Sequence, residues 1–267
     1  MMNRIMKICM IFLYDKANDK KAIHMVSAFA CSNNVCIGQV ITEEKSNEIT
    51  AIPELLKTLA IKGCIVTIDA MGCQKEIAQS ILDKEADYVL AVKKNQSELY
   101  EQVKKLFTIT KPTDYAKIED CDHGRVETRA CTVISDLTFL DLDENEYWPG
   151  LKSVLKLESI RYDKLSGDTE ADIRYYITSC NPNAEQLNSA IRQHWKIENN
   201  LHWILDVNFS EDAQRKRAGQ SAENFNVLTK IAMSFLKNTV NQKKTSMTGK
   251  RYKEALSSDY REKVLNL

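Results

Sequence analysis

Apolar residues along the chain alternate between two spacings. Residues 22–30 (AIHMVSAFA) and 35–42 (VCIGQVIT) are apolar, β-branched runs broken by Ser32, Asn33 and Asn34, the pattern of an antiparallel hairpin with a short turn. Ile49, Ile52, Leu55, Leu56 and Leu59 then recur at helical spacing, with Pro53 near the start. After Gly63 the run CIVTID is apolar almost throughout and ends in Asp69, which predicts a central strand covered on both faces. MGCQKEIAQSILDKEA reads as an amphipathic helix, DYVLAVK as another buried strand, and NQSELYEQVKKLF as a further helix. Residues 22–107 therefore read β-β-α-β-α-β-α, a layered sheet with helices packed on it.

The pattern changes over residues 113–180. VETRACTVI, LKSVLKLESIRYD and DIRYYITSC, with LSGDTE as a turn, predict a mostly antiparallel insertion, and Trp148, Pro149 and Gly150 mark a surface corner within it. Asn181, Pro182 and Asn183 form a stop and cap signal before a long helix from Ala184 to Leu205. SAENFNVLTKIAMSFLKN predicts a second helix, with Ser221 as N-cap and Glu223 in the first turn. At the start, Arg4 and Lys7 precede the apolar run Ile8 to Tyr14. That run is far too short to span a bilayer and lacks a small-x-small cleavage site, so it reads as a buried strand and no membrane partner is expected.

Charge changes this picture. The 267 residues carry 37 basic and 37 acidic side chains, a formal balance that argues against a polyanionic partner only if the charge is evenly spread. From Gln214 to Leu267 there are 12 basic residues against 4 acidic ones, a net +8, so the preceding 213 residues carry −8. Such polarisation points towards a polyanion, with a solvated lysine-rich helix as the plainer explanation. The eight cysteines include no C-x-x-C pair and read as reduced thiols.

Two places carry residues suited to chemistry. Asp69 closes a central strand, where carboxylates often face a ligand crevice; it could equally cap the next helix. His194, Glu198, His202 and Asp206 recur every four residues along one helix face, beside Trp195, Asn199 and Trp203 and flanked by Ile197, Leu201, Ile204 and Leu205. A strand-end carboxylate and a helix carboxylate, distant in sequence, suit a divalent metal cluster that activates water for phosphodiester attack; such a site generally wants a third carboxylate. No glycine-rich phosphate loop or dinucleotide fingerprint competes with this reading. Arg125 and Arg129 share one strand face and either contact phosphates or are surface cations. Lys93, Lys94, Asn95 and Gln96 follow a strand near Asp69 and form another candidate phosphate contact.

Taken together, HMVSAFA, GQVITEEKSNEITAIPELL, GCIVTIDAMGCQKEIA, ADYVLAVKKNQ, DHGRVETR, WPGLKSV, RYYITS and IRQHWKIENNLHWILDVNFSEDAQR resemble the DDE-type insertion-sequence transposases of the H-repeat-associated (ISAs) branch over roughly residues 15 to 240. The resemblance implies an α/β, ribonuclease H-like mixed sheet with flanking helices and a β-rich insertion. The corresponding division is 1–112 for the first part of the core, 113–180 for the insertion, 181–240 for the closing helices and 241–267 for a basic C-terminal tail. It implies Mg²⁺- or Mn²⁺-dependent cleavage and transfer of double-stranded DNA at terminal inverted repeats and target, at the nucleoid of a bacterial cytoplasm. Homodimers, or mixed assemblies with a full-length transposase, fit that role. Asp69 matches the second acidic residue of the family and Glu198 the third; Lys93, Lys94, Asn95, Arg125, Arg129, His194, Arg215 and Arg217 are the expected DNA contacts.

One departure stands out. The family's Asp-Gly-Lys at the end of the first strand is missing; a gap-free count from Tyr14 puts its aspartate at Met6, and no Asp or Glu precedes Asp15. MMNRIMKICMIFLY reads as a replacement start, as in a truncated or frameshifted copy. The expectation is a transposase with impaired chemistry and an incomplete two-metal site; the alternative is a catalytically inactive DNA-binding or interfering remnant.

Overall fold

Two neighbouring strands, apolar on both faces, organise the first of two compact units, Met1–Ile8 with Ala60–His194. A computed structural model of the chain describes residues 4–15, 20–42, 48–122, 124–141, 147–197, 201–211, 220–241 and 243–266. The two strands are β4 (Cys64–Ile68) and β5 (Asp87–Val92), paired in parallel, with Val66, Tyr88 and Leu90 wholly buried. β1 (Arg4–Asp15) lies parallel to β4 through its first residues, Arg4 opposite Cys64 and Lys7 opposite Thr67. On the other side β5 pairs antiparallel with β9 (Thr169–Thr178). Beyond β9 come β8 (Ser153–Asp163), β7 (Arg125–Ile134) and β6 (Asp114–Asp122), each antiparallel to its neighbour. The order in this unit is β1-β4-β5-β9-β8-β7-β6.

Helices supply the cover that buried strands require. α2 (Lys75–Leu82) sets Ile77, Ala78 and Ile81 against β5, and α3 (Ser97–Ile109) buries Leu99, Val103 and Leu106. Each fully buried Leu, Ile or Val side chain contributes about 1.5–3 kcal/mol. The corner expected at the surface turns inward: Trp148 is buried, Tyr88 donates its hydroxyl to Pro149 O at 2.8 Å, and Gly150 takes φ +62°. The positive φ favours glycine, and a Cβ there would also press on Leu82 Cδ1 at 2.7 Å, which would have to shift. α4 (Ala184–Ile197) starts where Asn183 Oδ1 accepts the Gln186 N–H, as the Asn-Pro-Asn signal predicts. Asp114 of β6 adds a second acceptor, for Ala184 N at 2.7 Å.

The second unit is Cys9–Leu59 with Trp195–Leu267. Here β2 (Lys20–Ala30) and β3 (Val35–Ile41) form the expected antiparallel hairpin, and α1 (Glu48–Thr58) packs its Leu55 and Leu56 over it. The helix expected over 184–205 is found as α4, a wider π-helical turn at residues 201–202, and α5 (Trp203–Phe209); residues 198–200 lie outside the described residues. Ile197, Leu201, Ile204 and Leu205, the predicted apolar flank, pack with Met25, Phe29 and Met233. α6 (Ser221–Asn238) begins one residue away from expectation, because Gln220 occupies the N-cap position and Ser221 is already helical. The stretch read as a basic tail contains two helices, α7 (Met247–Leu256) and α8 (Ser258–Leu265). Among the described residues, no helix is long and apolar enough to cross a membrane.

Candidate active site

Asp69 leaves β4 in extended conformation, and its Oδ1 accepts the Ala70 N–H at 2.7 Å. The carboxylate thus caps the 3₁₀ turn Ala70–Gly72 that follows, while half its side-chain surface stays open at 51%. Lys93, just past β5, places its ammonium 3.4 Å from the same oxygen. Burial raises the Asp69 carboxyl, yet the Ala70 N–H, the Lys93 ammonium and His194 outweigh it and hold its pKa below the usual carboxylate value. Asp69 therefore caps the following turn, as one of the two sequence readings has it, and stands ionised at the strand end.

The turn after Asp69 is pinned from outside. Asn95 donates from Nδ2 to Ala70 O at 2.8 Å, and Gln96 donates from Nε2 to Cys73 O at 2.9 Å. Both amides belong to the turn that also carries Lys93. Asn95, expected as a phosphate contact, donates to this turn, and Gln96 joins it there. Lys93 and Lys94 remain exposed. No periodicity could have announced this arrangement, because it depends on two loops meeting at the same sheet edge.

On the helix, His194 is buried, and its Nδ1 lies 3.0 Å from the Thr67 hydroxyl, two residues before Asp69. Thr67 in turn donates to Met6 O at 3.3 Å. His202 is half-buried and Asp206 exposed. Glu198, Arg215 and Arg217 lie outside the described residues.

The arginines of β7 divide. Arg125 is exposed and pairs across the strands with Asp163 at 3.0 Å. Arg129 is buried, so it is not the surface cation that one sequence reading offered, and His194 is buried as well. A third arginine, not singled out in the sequence, ties helix to sheet: Arg192 of α4 reaches Glu127 of β7 at 2.8 Å and also pairs with Asp120 of β6.

Comparison with known proteins decides the family. The model of the transposase DDE domain matches residues 7–235. The chain belongs to the DDE transposase family. It is 45% identical over 257 residues to "Putative transposase YncI" of Escherichia coli O157:H7, covering 94% of this chain and 65% of that protein. It is 41% identical over 261 residues to "H repeat-associated putative transposase YhhI" of Escherichia coli K12, covering 94% of this chain and 68% of the relative. The chain thus spans about two thirds of the length of these relatives. Membership implies a ribonuclease H-like α/β fold, which the mixed sheet and its flanking helices match, and a divalent metal in the family reaction.

Proposed function

We propose that this chain acts in DNA transposition as a DNA-binding member of its family whose own strand cleavage and transfer are impaired. The observation that carries this reading is the content of β1: the strand beside β4 holds Met6 and Lys7 opposite Val66 and Thr67, and residues 4–14 include no carboxylate. In-line attack on phosphorus by the family route needs carboxylates gathered around two metal ions. Among the described residues, the donors at Asp69 do not make such a pair. Asp69 shares its oxygen with Lys93, and His194 Nδ1 faces Thr67. Among the described residues, no group of three or more His, Cys, Asp or Glu side chains could hold a metal ion. Asp69, and Glu198 by resemblance, remain the candidate catalytic carboxylates.

DNA contacts fall to exposed cations. Lys93 lies beside Asp69 with Lys94 exposed next to it in sequence, Arg125 sits on the insertion expected over residues 113–180, and Lys243, Lys244, Lys253 and Lys263 are exposed near the C-terminal end. Phosphate neutralisation makes such binding fall steeply with salt. The test is a pair of measurements on duplex DNA carrying the element's terminal repeats. Gel-shift affinity should drop at least tenfold over a modest rise in salt, and Mg²⁺ should produce neither nicking nor strand transfer. Robust Mg²⁺-dependent transfer that Asp69→Ala abolishes would overturn the impairment; binding indifferent to salt would overturn the DNA contacts.

A further inference from the structure

In the second unit, α5, α6, α7 and α8 surround a hollow of about 520 Å³ walled by Phe209, Phe235, Leu236 and Val264. The exposed side chains of Tyr252, Arg251 and Arg261 complete its lining. Arg261 has a carboxylate partner, Glu254 at 3.1 Å. Arg251 is held 4.5 Å over the Phe209 ring, and among the described residues no carboxylate pairs with it. α7 and α8 together carry five cations against three acids. An apolar hollow with an exposed, unmatched guanidinium in its lining suits a hydrophobic anchor that has carboxylates beside it.

The first unit carries such a segment. From Asp136 to Tyr147 the chain holds five carboxylates, Asp136, Asp141, Asp143, Glu144 and Glu146, and no cation. Its anchor is Phe139, a large apolar ring that is 55% exposed. The turn that presents the ring is ordered by its own hydrogen bonds. Asp136 Oδ1 accepts the Thr138 N–H at 3.2 Å and the Thr138 hydroxyl at 2.6 Å, and Leu140 N–H donates to Leu137 O at 2.9 Å. A side chain offered on an ordered turn loses less freedom on docking than one on a loose loop. We propose that two copies of the chain associate, the Phe139 turn of one entering the C-terminal hollow of the other with its carboxylates against Arg251. The division of charge along the chain, −8 before Gln214 and +8 from there on, favours this head-to-tail match over the meeting of like surfaces. One ring and a few charges make a contact of the small, transient class. The inference concerns the chain without DNA and does not rest on its catalysis being impaired.

The test is sedimentation velocity of the full chain, free of DNA, over a wide range of concentration. The wild-type coefficient should climb with concentration, and added salt should move that climb to higher concentration. Phe139→Ala should weaken association at least tenfold. Ala232→Trp, which fills the hollow from α6, should do the same, as should Tyr252→Glu, which sets a carboxylate against the incoming ones. The glutamate variant carries that side of the test if the tryptophan variant does not fold. Phe139→Ala keeps an intact hollow and the hollow variants keep an intact turn, so an equal mixture should associate where neither does alone. A wild-type chain that stays monomeric throughout would overturn the proposal. So would undiminished association of Phe139→Ala or of a folded hollow variant, or a mixture that shows no recovery. If a hollow variant keeps its self-association but loses affinity for duplex DNA in gel shifts, the hollow is a DNA site and the proposal falls. Phe139→Ala should leave duplex affinity unchanged, which keeps this test separate from that of DNA binding.

Discussion

Two turns in this molecule are held by side-chain donors on main-chain carbonyls, and they use different chemistry. The turn after Asp69 is held by neutral amides, Asn95 on Ala70 O and Gln96 on Cys73 O. The corner after α6 is held by a cation: Lys250 Nζ donates to Leu236 O at 2.7 Å, Thr239 O at 2.8 Å and Lys237 O at 3.4 Å. An ammonium suits a helix C-terminus, where orphan carbonyls gather and the dipole is negative. Beside a carboxylate that already has Lys93, neutral amides order the backbone without adding charge. The contrast also sharpens the meaning of the basic C-terminal segment. Lys230 is buried between Ser27 and Gln39, Arg251 lies 4.5 Å over the Phe209 ring, and Arg261 pairs with Glu254. Several cations counted as an electrostatic footprint are internal fasteners.

The largest effect that separates the two turns is Lys250→Ala. It removes a charged donor from three carbonyls and should cost about 1.5–3 kcal/mol in urea unfolding. Equal stability of variant and wild type would show the cation to be incidental. Next, Asn95→Ala and Gln96→Ala should each cost about 1 kcal/mol, with hydrogen exchange rising at Ala70–Cys73 and little elsewhere. Unchanged exchange there would remove their role in pinning the turn.

pH divides the two regions as well. Burial pushes Lys237, in the last turn of α6, down to about 8, with the Cys31 thiol opposing that shift. Between about pH 8 and the ordinary lysine value of 10.5 the unfolded chain binds the extra proton, so this residue makes stability rise with pH across that window. Lys237→Met should flatten the rise in a series of denaturation curves, and a rise that survives it has another source. Asp69 works in the opposite range: its lowered pKa adds stability that is present above the unfolded carboxylate value and lost as pH falls through the folded one. The smallest effect is Lys93→Ala, an exposed pair worth about 0.2–1 kcal/mol, visible mainly as an upward move of the Asp69 pKa by NMR.

The strands and helices easiest to foresee were those buried from both sides or by one face. β4 and β5 announce themselves by unbroken apolar runs, and Asp69 by ending one of them. β6 escaped notice because DYAKIEDCD pairs only with β7 at the edge of the sheet and carries no apolar stripe. α7 and α8 were obscured in the same way: within them only Val264 is buried, so little periodicity survives among the charges. At the site, the strand-end carboxylate and the nearness of Lys93 were legible in sequence, but the contacts made there were not. Lys93 and His194 act on it from 24 and 125 residues further along the chain. The face on which Lys7 lies depends on a register across 60 positions, and a shift of one residue reverses it.

The Gln96 contact has a consequence for the thiol whose carbonyl it holds. Cys73 is wholly buried, and burial pushes its pKa up to about 12, so in the closed turn it is a neutral group out of reach of alkylating reagents. Labelling of Cys73 must wait for the turn to open. Its rate is then a stopwatch on the loop that carries Asp69, running independently of any catalytic event.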